Sequence, residues 1–214
     1  MYDDNYLDFR IFLQDLRDAG FCAVHILSHS MGCMLALQYA KAFEGIFQNI
    51  SQDEDTSQYS DNEESYFRSR TLMKLSTVTL LNPDTSLEQF IAQDYSRLSR
   101  YSDHITIYSN ERDFALKIGE ILGREKSLGR QTSDLKCKGK LMDVDLIDTT
   151  QLDVNIHKIR HNFFNLNRLL VDDLWDIIVI RKRARERRSR LNRKVRGEGI
   201  VYTFLVAPSY VVNK

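Results

Sequence analysis

The residues best suited to covalent chemistry lie in one short turn, Ser28-His29-Ser30-Met31-Gly32. The turn joins a short apolar run to a second apolar run with helical character. A serine in a sharp strand-to-helix turn has its hydroxyl raised above the sheet, and small residues two positions away on each side allow the chain to reverse. Ser30 is therefore a candidate nucleophile. The N–H of Met31, at the start of the helix, is a candidate oxyanion donor. The simpler alternative is an ordinary serine-rich turn.

A carboxylate follows a later strand-like run. Asp113 comes shortly after Ile105–Ser109, and the carboxyl ends of parallel strands meet at one edge of a sheet. Asp113 is therefore a candidate for the acid that orients a histidine. It is also well placed to cap the helix that begins at Phe114, and the two roles are compatible.

Two histidines follow the last strand-like run, Val144–Ile147. Spacing alone does not choose between His157 and His161. Either could accept the serine proton while the aspartate holds the imidazole tautomer and stabilises the imidazolium. A single histidine in a loop is more often a surface residue, so the order serine, aspartate, histidine carries the argument.

The elements that must position these residues alternate along the chain. The patterns predict strands at Phe21–Leu27, Leu75–Leu81, Ile105–Ser109 and Val144–Ile147, and helices at Asn5–Ala19, Met31–Phe47, Ser86–Leu98, Phe114–Leu122 and Phe163 to about Leu191. Strands separated by helices of this size indicate an α/β fold with about four parallel strands. The last helix is expected to be long and, in its final third, basic.

The order of these motifs resembles the α/β-hydrolase superfamily, and within it a poorly characterised serine-hydrolase-like group with a His-Ser-Met-Gly elbow. Four stretches carry the resemblance: VHILSHSMG, VTLLNPD, ITIYSNERDFAL, and VDLIDTT followed by HNFF. The resemblance spans roughly Tyr6 to Asp176. It implies Ser30 as nucleophile, Asp113 as acid and His161 as base. It further implies hydrolysis of a carboxylic ester, of a lipid or a small acyl group, through an acyl-enzyme.

The likeness covers only part of such a fold. A complete fold of this type resembles an eight-stranded sheet with four strands before the elbow, whereas one helix precedes the elbow here. The predicted strands correspond to the second half of that sheet, which suggests a fragment or a truncated gene product. The strand at Phe21–Leu27 should then have an uncovered edge. A second hypothesis follows, in which the chain is an inactive half-sheet that serves as an interaction module.

Composition sets the wider limits. The chain has 214 residues, 43% hydrophobic and 28% charged, which supports a buried core and excludes a wholly disordered chain. No apolar run reaches the roughly 18 to 20 residues of a membrane-spanning helix. Three cysteines are too few for a disulfide framework and favour an intracellular location, in the cytoplasm or at a membrane surface. The cysteines and five histidines show no ligand spacing, so no metal or cofactor is implied.

Charge is distributed unevenly although the net charge is zero. Residues 51–66 hold six acids and no base, and we expect them to form a disordered insertion. Arg181–Arg196 hold ten basic residues and one acid. The sequence thus predicts a hydrolase-like domain over residues 1–180 and a basic arm and tail over residues 181–214. An anionic membrane surface is the favoured partner of the arm besides the ester substrate. Nuclear import is an alternative, and nucleic acid is disfavoured because aromatic residues are not interleaved.

Overall fold

A six-stranded, mostly parallel sheet is the centre of the fold. The computed structural model describes residues 4–50, 72–123, 125–152 and 167–205. The strands of the sheet are β1 (Ala23–His29), β2 (Lys74–Leu81), β3 (Ile105–Ser109), β6 (Asp145–Asp148), β7 (Leu191–Arg196) and β8 (Gly199–Phe204). A separate two-stranded ribbon consists of β4 (Lys136–Cys137) and β5 (Lys140–Leu141). The spatial order is β1-β2-β3-β6-β8-β7, and every pair is parallel except the hairpin of β7 and β8. The four predicted strands are confirmed, and the sheet has two more.

The described ranges contain five helices. They are α1 (Asp4–Asp18), α2 (Met31–Gln38), α3, α4 (Phe114–Gly123) and α5 (Arg168–Ile178). α3 is a composite of Leu87–Gln89, a π turn at Phe90–Asp94, and Tyr95–Leu98. α2 is shorter than predicted because the chain tightens into a 3₁₀ turn at Tyr39–Phe43. None of the helices in the described ranges has the length and apolarity that a membrane crossing requires.

The core consists of two apolar clusters, one on each face of the sheet. The first contains buried residues of α1, α2 and α3, and the second contains Leu170 and Ile177 of α5. Consecutive strand residues point to opposite faces, so Ile107 belongs to the first cluster and its neighbour Tyr108 to the second. The sheet is therefore the middle of three layers, as in other folds built from β-α units.

β1 lies at one edge of the sheet, as predicted. It pairs with β2 on one side, and no other strand in the described ranges pairs with it on the other. Leu27 on this strand is 48% exposed. An edge of this kind presents unpaired backbone groups to any strand that can approach it.

The long basic C-terminal helix was a wrong prediction. α5 ends at Ile178, and most of the basic segment Arg181–Arg196 forms a short 3₁₀ turn followed by β7. The chain then reverses at Gly197, whose φ of 66° favours glycine, and returns as β8 beside β6. The sheet thus continues beyond the expected domain boundary after residue 180.

Tertiary ion pairs explain why the basic segment leaves the helix. Four of its arginines pair with carboxylates of other elements: Arg183 with Asp143, Arg187 with Asp173, Arg190 with Asp176, and Arg196 with Asp148. A helix that projects from the body would leave these charges in water and repelling one another. The remaining six basic side chains are exposed: Arg181, Lys182, Arg185, Arg188, Arg193 and Lys194.

The most deeply buried of these pairs is Arg187 with Asp173. Both side chains have no exposed surface, and the hydroxyl of Tyr108 donates to the same carboxylate at 2.5 Å. Burial raises the pKa of Asp173, and the adjacent guanidinium opposes that shift. This cluster attaches the C-terminal hairpin to α5 and to β3. It is therefore expected to be essential for the packing of the second core cluster.

We predict that Arg187→Met destabilises the protein by about 3–5 kcal/mol, because the carboxylate of Asp173 is left buried and uncompensated. Chemical denaturation measures the loss. Adding Asp173→Asn should restore part of it, since the charge is removed while an oxygen still accepts from Tyr108. Arg188→Met is the matched control on an exposed neighbour and should change stability by less than about 0.5 kcal/mol. Equal effects of the two single substitutions would contradict this account.

Candidate active site

Ser30 occupies a strained turn between β1 and α2. Its backbone has φ 53° and ψ −126°, a combination that residues other than glycine rarely adopt. Such a conformation costs about 1–3 kcal/mol and persists only when the surroundings impose it. The turn reverses the chain from strand to helix within one residue. The predicted sharp strand-to-helix turn is therefore present at this serine.

Backbone hydrogen bonds hold the turn in place. The Ser30 N–H donates to the carbonyl of Leu81 at the end of β2, at 3.0 Å. The Ser30 carbonyl accepts from the N–H of Cys33 at 2.9 Å and from that of Asp84 at 3.2 Å. Met31 is the first residue of α2, and the first N–H groups of a helix have no intrahelical acceptor. An anion beside Ser30 could use this N–H and the positive end of the helix dipole.

The neighbours of the turn clarify which group can react. Cys33 is a buried residue near the start of α2, and its thiol accepts from the hydroxyl of Ser28 at 3.3 Å. Burial raises the pKa of Cys33 to about 11, so the thiolate that a cysteine nucleophile needs is scarce. A side chain at Gly32 would meet open space among the described residues outside its own stretch of helix. Gly32 is thus the small residue expected two positions after Ser30. Among the described residues, however, no neighbour is close enough to exclude a larger side chain there.

Asp113 lies fully buried in the loop after β3. One carboxylate oxygen accepts from the N–H of Leu116 at 3.1 Å, which caps the first turn of α4 as predicted. The other accepts from the side-chain amide of Asn82 at 2.8 Å. These two donors fix the direction of the carboxylate. One oxygen of Asp113 thus caps α4, and the other is held by Asn82, which orients the carboxylate.

Asn82 is a residue that the sequence reasoning missed. It follows β2 directly, is fully buried and has a left-handed φ of 40°. Its backbone N–H donates to the carbonyl of Tyr108 at 2.9 Å, so it continues the sheet ladder by one residue. Because it lies between the loops of Ser30 and Asp113, it sets the position of the acid. The criterion that selected Asp113 would also have selected Asn82, because both are polar residues that come just after a parallel strand.

The histidines cannot be placed in the same way. β6 ends at the same sheet edge, where Thr149 donates its N–H to the carbonyl of Ser109 at 2.8 Å. The hydroxyl of Thr150 accepts from the N–H of Glu111 at 3.1 Å and braces the loop that holds Asp113. His157 and His161 come later in the sequence, and they lie outside the described residues. The structure therefore brings Ser30, Met31 and Asp113 to one edge, and the choice of base remains a prediction.

An apolar rim and a groove surround this edge. Met31 and Met34 on α2, and Phe114 and Ile118 on α4, are exposed, with Met31 at 62%. A groove of about 360 Å³ runs between Met34, the loop at Asp84 and the small residues of α4. In the described ranges, no group of histidine, cysteine or acidic residues is arranged to hold a metal ion. The residues at hand can thus support acid–base and nucleophilic chemistry beside an apolar surface.

Comparison with known proteins gives one result at the level of the family. Residues 6–183 match the model of a family described as alpha/beta hydrolase of unknown function (DUF900). No curated protein and no solved structure matches the chain. The match covers most of the chain, including the turn at Ser30 and the loop at Asp113. This chain therefore belongs to the DUF900 family of alpha/beta hydrolases.

Proposed function

We propose that this chain is a serine hydrolase that cleaves a carboxylic ester through an acyl-enzyme on Ser30. The observation that carries the proposal is the strained backbone of Ser30 between β1 and α2. Strain of this kind is concentrated at functional sites, and in this position it exposes a serine hydroxyl at the carboxyl edge of the sheet. Membership of an alpha/beta hydrolase family supports the class of reaction.

The proposed reaction uses three side chains and one backbone N–H of the chain. Ser30 attacks the ester carbonyl and passes its proton to His161, while Asp113 holds the imidazolium. The carbonyl oxygen becomes an oxyanion that the N–H of Met31 stabilises. The tetrahedral intermediate collapses, and His161 returns the proton to the departing alcohol. A water molecule, deprotonated by the same histidine, then cleaves the acyl-enzyme to the free acid and regenerates the serine hydroxyl.

The surroundings favour an ester with an apolar acyl chain. The exposed methionines of α2 and the apolar side chains of α4 lie beside the serine turn. An unbranched thioether side chain adapts to ligands of varied shape. The groove between α2 and α4 offers about 360 Å³, which is within the range of small ligand sites. A lipid or a small acyl ester therefore fits better than a highly charged substrate.

The alternative is a chain without activity that serves as an interaction module. The open edge of β1 in the described ranges favours this second function, because an uncovered strand can pair with a strand of a partner. A second oxyanion donor is also not evident among the described residues near Ser30. Removal of one such donor typically lowers the rate by about 10²–10³-fold.

We predict that a fluorophosphonate probe labels the protein at Ser30, because only an activated serine attacks such a probe. Ser30→Ala should abolish labelling, and Ser96→Ala, at an exposed serine of α3, should retain it. Gel fluorescence and mass spectrometry of the labelled peptide provide the readout. A folded wild-type protein that stays unlabelled would exclude the hydrolase and leave the interaction module.

We further predict that His161→Ala lowers kcat/KM for a p-nitrophenyl ester by at least about 10²-fold, as expected for loss of a general base. His157→Ala is the matched control and should leave the rate unchanged. The reverse result would transfer the role of base to His157 and leave the other assignments intact. Asp113→Asn should also lower kcat, while the helix cap persists because asparagine caps as well as aspartate.

We propose in addition that the basic segment attracts the protein to anionic membranes. The support is the division of its ten cations: four are paired with carboxylates, and six are exposed. Each exposed basic residue near an anionic surface contributes about 1 kcal/mol, and added salt weakens the attraction. A hydrolase of lipid esters would be concentrated at its substrate in this way.

Vesicle co-sedimentation tests this attraction. The wild-type protein should bind vesicles that contain phosphatidylserine and should be released by salt. Replacing the six exposed cations by glutamine should abolish binding without unfolding the protein, because none of them forms an ion pair with a described carboxylate. Equal binding to neutral vesicles, or unchanged binding by the six-fold variant, would refute the proposal.

A further inference from the structure

A large open cleft lies at the end of the sheet where the parallel strands begin, opposite the end that carries Ser30. It has a volume of about 720 Å³ and is formed by α1, the 3₁₀ turn after α2, and the C-terminal end of α3. α3 starts beyond the carboxyl end of β2 and ends where β3 is about to begin, so its last residues lie at the edge where strands start. The parallel bridge between Leu75 and Ser102 confirms this location. The cleft is therefore separate from the candidate active site.

The charges that line the cleft are mostly positive. Among the described residues of the lining, Arg10, Lys41, Arg97 and Arg100 contribute four cations, and Glu44 contributes one carboxylate. Within the described ranges, Lys41 and Arg100 form no ion pair with a carboxylate. Such a concentration of unpaired cations in a concave surface raises the local concentration of anions.

Two of the cations are held by the protein in fixed positions. Arg10 donates to the carbonyls of Ala42 and Glu44 at 3.2 and 3.3 Å, which leaves its remaining N–H groups for another acceptor. Arg97 donates to the buried carboxylate of Asp94 at 3.4 Å. Arginine side chains fixed in this way lose little conformational entropy when they bind a phosphate.

The cleft also has an aromatic part. Tyr6 and Tyr101 line it, and each ring packs at a steep angle against an aromatic residue of the 3₁₀ turn: Tyr6 against Tyr39 at 5.9 Å, and Tyr101 against Phe43 at 6.0 Å. Burial and the nearby Glu44 carboxylate raise the pKa of Tyr101, whereas Arg100 opposes this shift, so its hydroxyl lies near both charges. The volume of the cleft is in the range of sites for small organic ligands.

We propose that this cleft binds a soluble phosphate ester that carries at least two negative charges and a ring. Lys41 and Arg100 hold the phosphate groups together with Arg10, and the ring packs against Tyr6 and Tyr101. A simple inorganic anion would leave the aromatic part unused, and an uncharged ring would leave the cations unused. This site is independent of the proposed hydrolase, since it shares no residue with the serine turn.

Isothermal titration calorimetry with ADP tests the proposal on the full chain. ADP should bind saturably, more tightly than pyrophosphate, and adenosine should not bind. The double variant Lys41→Gln with Arg100→Gln should lower the affinity for ADP at least about tenfold, as expected for loss of two charge-assisted contacts. The matched control, Lys140→Gln with Arg193→Gln, removes two exposed cations elsewhere and should bind as the wild type does. Ser30→Ala should also bind normally.

Three outcomes would overturn the proposal. Absence of saturable binding of both ADP and pyrophosphate would exclude a phosphate site, and equal losses in the cleft variant and its control would show a diffuse charge effect. Cleft-dependent binding to vesicles that contain a phosphorylated inositol lipid, without binding of ADP, would identify a lipid headgroup in place of a soluble ligand. Unchanged thermal unfolding of both double variants ensures that these results report binding.

Discussion

The arrangement of the candidate site depends on a hydrogen-bond ladder that continues one residue past the ends of the strands. Ser30 bonds to Leu81, and Asn82 bonds to Tyr108, each across to the neighbouring strand. Thr149 repeats the pattern by bonding to Ser109. Because the ladder is parallel, every one of these residues is brought to the same edge. Displacement of one strand would therefore move the serine, the asparagine and the aspartate relative to one another.

This ladder also explains how a strained serine is tolerated. The free-energy cost of the Ser30 backbone is opposed by bonds to Leu81, Cys33 and Asp84, which involve both its N–H and its carbonyl. Asn82 has a left-handed backbone and is likewise held by its N–H and its amide. The loops that follow β1 and β2 thus both have unusual backbone angles. One contains Ser30, and the other contains Asn82, which donates to Asp113. Two of the four non-glycine residues with positive φ in the described ranges, Ser30 and Asn82, therefore lie at this end of the sheet, and backbone strain of this kind is often found at functional sites.

Charge pairing divides the molecule into parts with different chemistry. At the C-terminal hairpin, buried and half-buried arginines are matched by carboxylates of α5, β6 and the loop before β6. At the cleft near α1, cations exceed carboxylates. In the first arrangement each charge removed from water has a partner, so the loss of one partner is strongly destabilising. The second leaves positive charge available to attract an anionic ligand. It lies at the end of the sheet where the strands begin, away from Ser30.

The sequence by itself determined the four strands, the strand–serine–helix turn at Ser30, and the place of Asp113 beyond its strand, because each is encoded in a short local pattern of apolar, small and polar residues. Only the tertiary structure decided the role of Asn82, whose partner lies 31 residues away. The same holds for the basic segment, whose local composition favours a helix. Its arginines instead reach carboxylates up to 48 residues distant, and a strand beside β8 allows those contacts. To leave a buried carboxylate without its arginine costs about 3–5 kcal/mol, which exceeds the helix propensity of any one residue, at less than about 1 kcal/mol.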